Sequence, residues 1–183
     1  MIVSREGKAV AVYFQLPFTE VAGLFGREAV SLVGADGKVT LEELSLGTFD
    51  DADLLARDVE FSLGDQSVQF EALSMMVHPA VSPFAFDTPL DAEIAIAVCG
   101  VPLPQQPPGP EELVWVGGWY AYPVSSTEEL AIKFPETGRE PMALPVRVFD
   151  STGLERSEEI TLADQGTLIV PHSVGWRDWI FGW

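Results

Sequence analysis

The densest group of residues able to do chemistry is an acidic cluster of Asp50, Asp51 and Asp53, with Asp58 close behind. Clustered carboxylate oxygens are what hard cations such as Ca²⁺ require, so the cluster is a candidate calcium loop. Carboxylates are also favoured at a helix N-terminus, where they accept hydrogen bonds from free amides and complement the helix dipole. We favour the second interpretation and predict a short helix over residues 50–56.

Two histidines and one cysteine are the other candidate ligands or nucleophiles. His78 and His172 could meet in space and hold Zn²⁺ with a carboxylate, but neither lies in a ligand spacing such as His-x-x-x-His. Cys99 ends an apolar run, and no neighbouring base or cation is present to activate its thiol. We interpret it as a buried structural thiol. The sequence therefore predicts no catalytic residue, no metal and no cofactor.

Residues 34–43 resemble the second half of a calcium loop of the EF-hand type. Aligning Gly37 with the invariant glycine of that loop places Glu43 at its last ligand position. The same alignment puts Leu32 and Gly34 where the first two carboxylates belong. Because two missing ligands would leave the cation short of oxygens, we interpret this segment as a hairpin turn.

Four aromatic residues lie close together on one predicted strand. Trp115 and Trp119 share one face of that strand, and Tyr120 and Tyr122 project from the other. Flat rings on a sheet face can stack on sugars, so Trp115, Trp119 and Tyr122 are the candidate ligand residues of a carbohydrate-binding module. The same spacing is typical of one core-facing row and one half-exposed row, which is the interpretation we favour.

Residues 176–183 form the densest aromatic stretch of the chain. Trp179, Phe181 and Trp183 alternate, so an extended backbone would direct all three rings to one side, with Trp176 anchoring the approach. Large aromatic side chains within a polar rim are typical of protein interfaces. We predict that these four residues contact a partner, with packing on the chain's own domain as the competing interpretation.

The net charge of the chain limits the classes of partner that it can bind. The 183 residues include 28 acidic and 10 basic side chains, for a formal net charge of -18. Such a surface repels phosphate backbones and anionic lipid, so we predict no nucleic-acid and no membrane partner. The acidity is typical of a soluble or salt-adapted protein, and a basic partner is the alternative.

Two features bear on the compartment. The single cysteine excludes an internal disulfide and favours a reducing environment. The first residues lack the basic-then-apolar layout of a secretory signal. The predicted localisation is cytoplasmic, with incorporation into a particle as a further option.

Two-residue alternation broken by turns is the main structural signal. Val59, Phe61 and Leu63 alternate with polar residues, and after a Gly-Asp pair the alternation resumes at Val68 and Phe70. A hairpin with this turn pairs Phe61 with Val68 and directs the apolar residues to one face. Strands are predicted at residues 9–16, 29–33, 39–46, 59–63, 67–77, 92–98, 113–122, 130–134, 143–150, 154–162 and 167–171.

Helical signals are short and few, at residues 19–25 and 50–56. The predicted fold class is therefore all-β: an antiparallel two-sheet β-sandwich, jelly-roll or Ig-like, with one or two short helices and with a flattened barrel as the alternative. We predict one domain over residues 1–183 with a proline-rich connection at 101–110. The alternative is two small β domains, 1–100 and 111–183.

These features favour a function exercised by contact. We predict a non-catalytic structural or adaptor protein that binds a protein partner or itself within a larger assembly, such as a virion, a tail or a secretion particle. The alternatives are a carbohydrate-binding module and, less favoured, a carboxylate-based hydrolase.

Overall fold

The computed structural model describes residues 1–25, 37–39, 59–81, 84–97, 106–125, 127–138, 140–151, 155–162 and 166–170. This part of the chain is mostly sheet, with two short helices. In chain order its elements are β1 (Ile2–Glu6), β2 (Ala9–Pro17), α1 (Phe18–Phe25), β3 (Glu60–Leu63), β4 (Gln66–Val68), β5 (Glu71–Pro79), α2 (Pro89–Ala97), β6 (Leu113–Ala121), β7 (Leu130–Lys133), β8 (Met142–Asp150), β9 (Glu155–Leu162) and β10 (Thr167–Val170).

The strands form two sheets. One has six strands in the order β5-β6-β2-β1-β8-β9, and the other has four in the order β10-β7-β3-β4. All pairs are antiparallel except β1 with β8, which run parallel. The prediction of wholly antiparallel sheets was therefore wrong at this pair. Strands joined by a tight turn must be antiparallel, but β1 and β8 lie far apart in the chain and no turn constrains their direction.

The predicted hairpin is confirmed, and its second strand ends earlier than expected. Phe61 pairs with Val68 across β3 and β4, and the rings of Phe61 and Phe70 stack with centroids 4.2 Å apart. The predicted strand over residues 67–77 is instead two strands. β4 belongs to the four-stranded sheet and β5 to the six-stranded sheet, so the chain crosses between sheets next to Phe70.

A single buried cluster draws side chains from both sheets. Trp119 and Phe14 meet edge to face with ring centroids 4.9 Å apart, and Phe25 from α1 lies against Trp115 at 5.2 Å. Edge-to-face contacts of this kind add to the free energy gained from burying the rings. A second cluster lies on the other face of the six-stranded sheet, where α2 covers part of the strands.

The segment over residues 92–98 was predicted as a strand, and this was wrong for the described residues because Pro89–Ala97 is helix α2. The Asp91 backbone N–H donates to Thr88 Oγ1 at 3.2 Å, and the Thr88 N–H donates to Asp91 Oδ2 at 2.9 Å. This reciprocal cap, with Pro89 in the first helical turn, specifies a helix start. The buried residues Ala92, Ala95 and Ile96 follow helical spacing.

Some of the other predicted helices and strands lie in the described part of the chain and can be compared with the structure, and the others lie outside it. The helix predicted at 19–25 is confirmed as α1, and β1 is a strand that the alternation did not predict. The helix at 50–56 and the strand at 29–33 lie outside the described residues, as does most of the strand at 39–46. β5, which precedes α2 and the proline-rich connection, pairs with β6, which follows them. No helix of the described chain combines the length and the apolar character needed to cross a membrane.

Candidate contact surface

The aromatic residues predicted to bind a partner or a sugar fall in different surroundings. Trp176, Trp179, Phe181 and Trp183 lie outside the described residues. The indoles of Trp115 and Trp119 are buried in the core between the sheets, as the core-facing interpretation predicts. Stacking a sugar on either indole would require the core to open. The third candidate sugar-binding residue, Tyr122, is 65% exposed.

Of the candidate metal ligands, the structure describes only His78. Asp50, Asp51, Asp53, Cys99 and His172 lie outside the described residues. Within the described chain no three His, Cys, Asp or Glu side chains come together in a group able to hold a metal ion.

His78 is a buried residue that joins β5 to α2. Its Nε2 lies 2.6 Å from the carbonyl oxygen of Ala95 and donates to it, and its ring meets Phe84 edge-on at 4.9 Å. Among the described residues, no group forms a hydrogen bond with Nδ1 of His78. Burial lowers the pKa of His78 below its usual 6.5, and the hydrogen bond to Ala95 opposes this only partly. The side chain is therefore a neutral donor that holds the helix on the sheet.

The buried histidine predicts a pH-dependent stability. Because folding lowers the pKa of His78, the unfolded chain takes up a proton first as the pH falls below about 6.5. The stabilisation from neutral His78 is complete above that pH and is lost as the pH falls through the folded-state pKa. We expect His78→Asn to make the free energy of unfolding in urea less dependent on pH in this range. His172→Asn is the control, and equal pH dependence of the wild type and His78→Asn would contradict the assignment.

Helix α2 exposes two large apolar side chains on its outer face, next to Glu93. Its inner face carries Ala92 and Ala95, which are fully buried against the sheet. On its outer face Leu90 is 64% exposed and Ile94, one turn later, is 44% exposed. We call Leu90 and Ile94, two exposed apolar residues one turn apart on the same helix, the α2 stripe.

A groove adjoins this stripe on the face of the six-stranded sheet that α2 only partly covers. We call it the outer-face groove; its volume is about 300 Å³ and it is lined by Ser4, Glu6, Ala9, Ala11, Tyr13, Leu73, Glu93 and Tyr120. The Tyr13 hydroxyl donates to Glu93 Oε1 at 3.0 Å, which links the sheet to the helix. Burial and this carboxylate raise the pKa of Tyr13, so the phenol remains a donor at neutral pH.

A larger cavity of about 850 Å³ lies beside the β3–β4 hairpin. The hairpin forms one wall, and Lys8, Val124 and Glu128 contribute to the other. Backbone hydrogen bonds fix both walls, since the Gly64 N–H donates to the Glu129 carbonyl at 2.8 Å and the Val124 N–H donates to the Lys8 carbonyl at 2.9 Å. The lining mixes amides, hydroxyls and charges of both signs, so it favours no single class of ligand.

Neither the α2 stripe nor the outer-face groove was predicted from the sequence. Reading residues 92–98 as a strand concealed that Leu90 and Ile94 share one helix face and that Glu93 reaches the sheet. The signal that could have identified them is Thr88-Pro89-Leu90-Asp91, since a threonine three residues before an acid, with proline between them, is typical of a helix start.

Comparison with known proteins returned no match: no family model, no curated protein and no solved structure corresponds to this chain.

Proposed function

We propose that this protein is a non-catalytic β-sandwich that acts by protein–protein contact, as a structural or adaptor component of a larger assembly. The observation that carries the proposal is the α2 stripe. Leu90 and Ile94 are exposed on a helix whose opposite face is already fully packed. An exposed apolar patch beside polar residues is typical of a protein interaction site.

The surroundings of the stripe support a protein partner. Leu73, 41% exposed, lines the groove on one side, and Glu93 belongs to both the helix and the groove. An apolar centre with charged groups at its edge has the composition of a protein interface. The two sheets share one buried cluster, and we propose that they form the sandwich of a single domain that carries this surface on its outer side.

The aromatic C-terminal segment is the second contact element in this proposal. Trp176, Trp179, Phe181 and Trp183 supply the large rings that interfaces favour. In this proposal the protein is cytoplasmic, and it is incorporated into a particle by contacts that the aromatic segment and the α2 stripe make. Nucleic acid and membrane are excluded from the proposal because the net charge of -18 repels both.

The contact proposal is tested by introducing charge into the stripe. The double substitution Leu90→Glu and Ile94→Glu is expected to shift the full chain from an associated species towards monomer in sedimentation velocity. Its unfolding temperature should change little, because exposed side chains contribute little to stability. Ile169→Glu, at 47% exposure on the four-stranded sheet, is the matched control and should leave association unchanged.

Deletion of residues 176–183 tests the second element in the same assay. We expect the truncated chain to keep its unfolding temperature and to lose association. A loss of several kcal/mol in stability would instead show that the aromatic rings pack on their own domain. A full chain that sediments as a monomer at every concentration would remove self-association and leave only a different protein as the partner.

A further inference from the structure

The outer-face groove has a floor of small side chains. Ala11 on β2 lies opposite Ser4 on β1, and its other neighbour in the sheet is Tyr120 on β6. Ala9 similarly lies opposite Glu6. Small residues between larger neighbours leave a depression of about 300 Å³, at the lower end of the size range of ligand pockets. The groove therefore suits one side chain and not a large ligand.

The groove places two carboxylates on a largely apolar lining, and none of the described residues that line it is Lys or Arg. Glu6 enters from β1 and Glu93 from α2. Ser4, only 7% exposed, also lines the groove, and its hydroxyl makes no hydrogen bond to another described residue. This hydroxyl and the two carboxylates give the groove acceptors for a guest with several N–H donors.

The hydrogen bond from Tyr13 holds one of these acceptors in place. It engages Oε1 of Glu93 at 3.0 Å, and a carboxylate has further lone pairs for a second donor. The ring of Tyr120 adds an aromatic surface at the groove wall. An aromatic face beside carboxylates is the environment in which a cationic group is attracted both by charge and by the ring.

We propose that the outer-face groove binds the guanidinium or ammonium group of an Arg or Lys side chain presented by a basic segment of a protein partner. The proposal rests on the proposed contact function and names the chemistry of the partner. Arginine fits best, because its planar fork of donors can satisfy two carboxylates at once while stacking on a ring.

Two observations favour a protein side chain over a free small cation. The α2 stripe lies next to the groove, since Glu93 lines the groove and Ile94 follows it in the helix. Residues flanking the bound cation would therefore lie on exposed apolar surface. The net charge of -18 also attracts a basic segment from a distance and raises its association rate.

The test uses a blocked tripeptide with arginine between two leucines, its citrulline analogue, and butylguanidinium, each titrated into the full chain by calorimetry. Citrulline keeps the shape of arginine and lacks its charge. We expect the arginine peptide to bind about tenfold more tightly than the citrulline peptide, with an affinity that falls as salt is added. Glu6→Gln and Glu93→Gln should each weaken binding several-fold. Glu136→Gln removes one exposed carboxylate outside the groove and should not.

The outcomes separate this inference from the contact function. Equal affinity for the two peptides, or no effect of Glu6→Gln and Glu93→Gln, would overturn the cation site. Butylguanidinium binding as tightly as the arginine peptide would overturn the assignment to a protein partner. If the cation site holds and the Leu90→Glu, Ile94→Glu variant associates like the wild type in sedimentation velocity, the α2 stripe fails as a contact and the groove stands alone.

Discussion

Phe61→Ala is expected to lower the free energy of unfolding by about 3–5 kcal/mol, the usual loss for a buried large aromatic side chain. Phe61 lies in the core between the two sheets, stacked on Phe70 and tilted against Trp119 at 6.0 Å. Removing its ring leaves a cavity that strands on both sides hold open. The same loss is expected for Phe70→Ala, because Phe70 supplies the other half of the stack.

The matched controls lie on the opposite face of the same hairpin. Gln69 precedes Phe70 and is exposed, so Gln69→Ala should cost under about 0.5 kcal/mol. Glu60 is exposed as well and pairs with Lys133 at 3.1 Å. Because an ion pair at the surface contributes little, Glu60→Ala should also cost under about 0.5 kcal/mol. Urea denaturation of the four variants measures the difference. Similar losses for the phenylalanines and the polar controls would show that the hairpin register is wrong.

The stacked pair also predicts coupling between the two positions. Phe61 and Phe70 have an interplanar angle of 20° and centroids 4.2 Å apart. Aromatic pairs of this kind couple by about 0.5–1.5 kcal/mol beyond the area they bury. The double variant should therefore lose less than the sum of the two single losses, because the second substitution removes a ring that has already lost its partner.

Arg5→Met is expected to cost at least about 3 kcal/mol, from two charge-assisted hydrogen bonds of about 1.5 kcal/mol or more each. Arg5 is a strand residue of the six-stranded sheet and is almost fully buried. Its guanidinium donates to the carbonyl oxygen of Glu128 and, at 3.1 Å, to that of Val170 at the end of β10. The side chain thus links the two sheets through backbone acceptors.

The planar fork of Arg5 makes the prediction specific. A lysine at the same position carries a charge but cannot direct two donors to carbonyls on separate segments, so Arg5→Lys should recover only part of the lost stability. Arg156→Met, at a half-buried arginine on β9, is the comparison for loss of a positive charge. If Arg5→Met and Arg156→Met unfold at the same urea concentration, the bridge between the sheets contributes nothing.

The sequence by itself determined those elements whose conformation depends on residues close together in the chain. The alternation from Val59 to Phe70 predicted the hairpin, its register and its buried face, because strand period and turn depend on residues close in the chain. The helix at 19–25 followed from short-range signals in the same way. The net charge of -18 constrains partners without any reference to fold.

The tertiary structure alone decided the features that join distant residues. The crossing between sheets at Phe70, the parallel pairing of β1 with β8 and the reach of Arg5 to Val170 depend on segments far apart in the chain. No local pattern encodes such pairings, since many partners satisfy the same alternation. An apolar run such as residues 92–98 suits a buried strand or a helix equally.

The outer-face groove is another feature in which the sequence determined the residues and the tertiary structure decided their arrangement. The positions of Glu6, Tyr13, Glu93 and Tyr120 in the sequence give no sign that these four side chains meet. The pairing of β1, β2 and β6 places Glu6, Tyr13 and Tyr120 on one face of the sheet. Helix α2 brings Glu93 to the same face, where it accepts a hydrogen bond from Tyr13. A groove lined by side chains from four elements forms only once those elements have packed, because packing sets the distances between them.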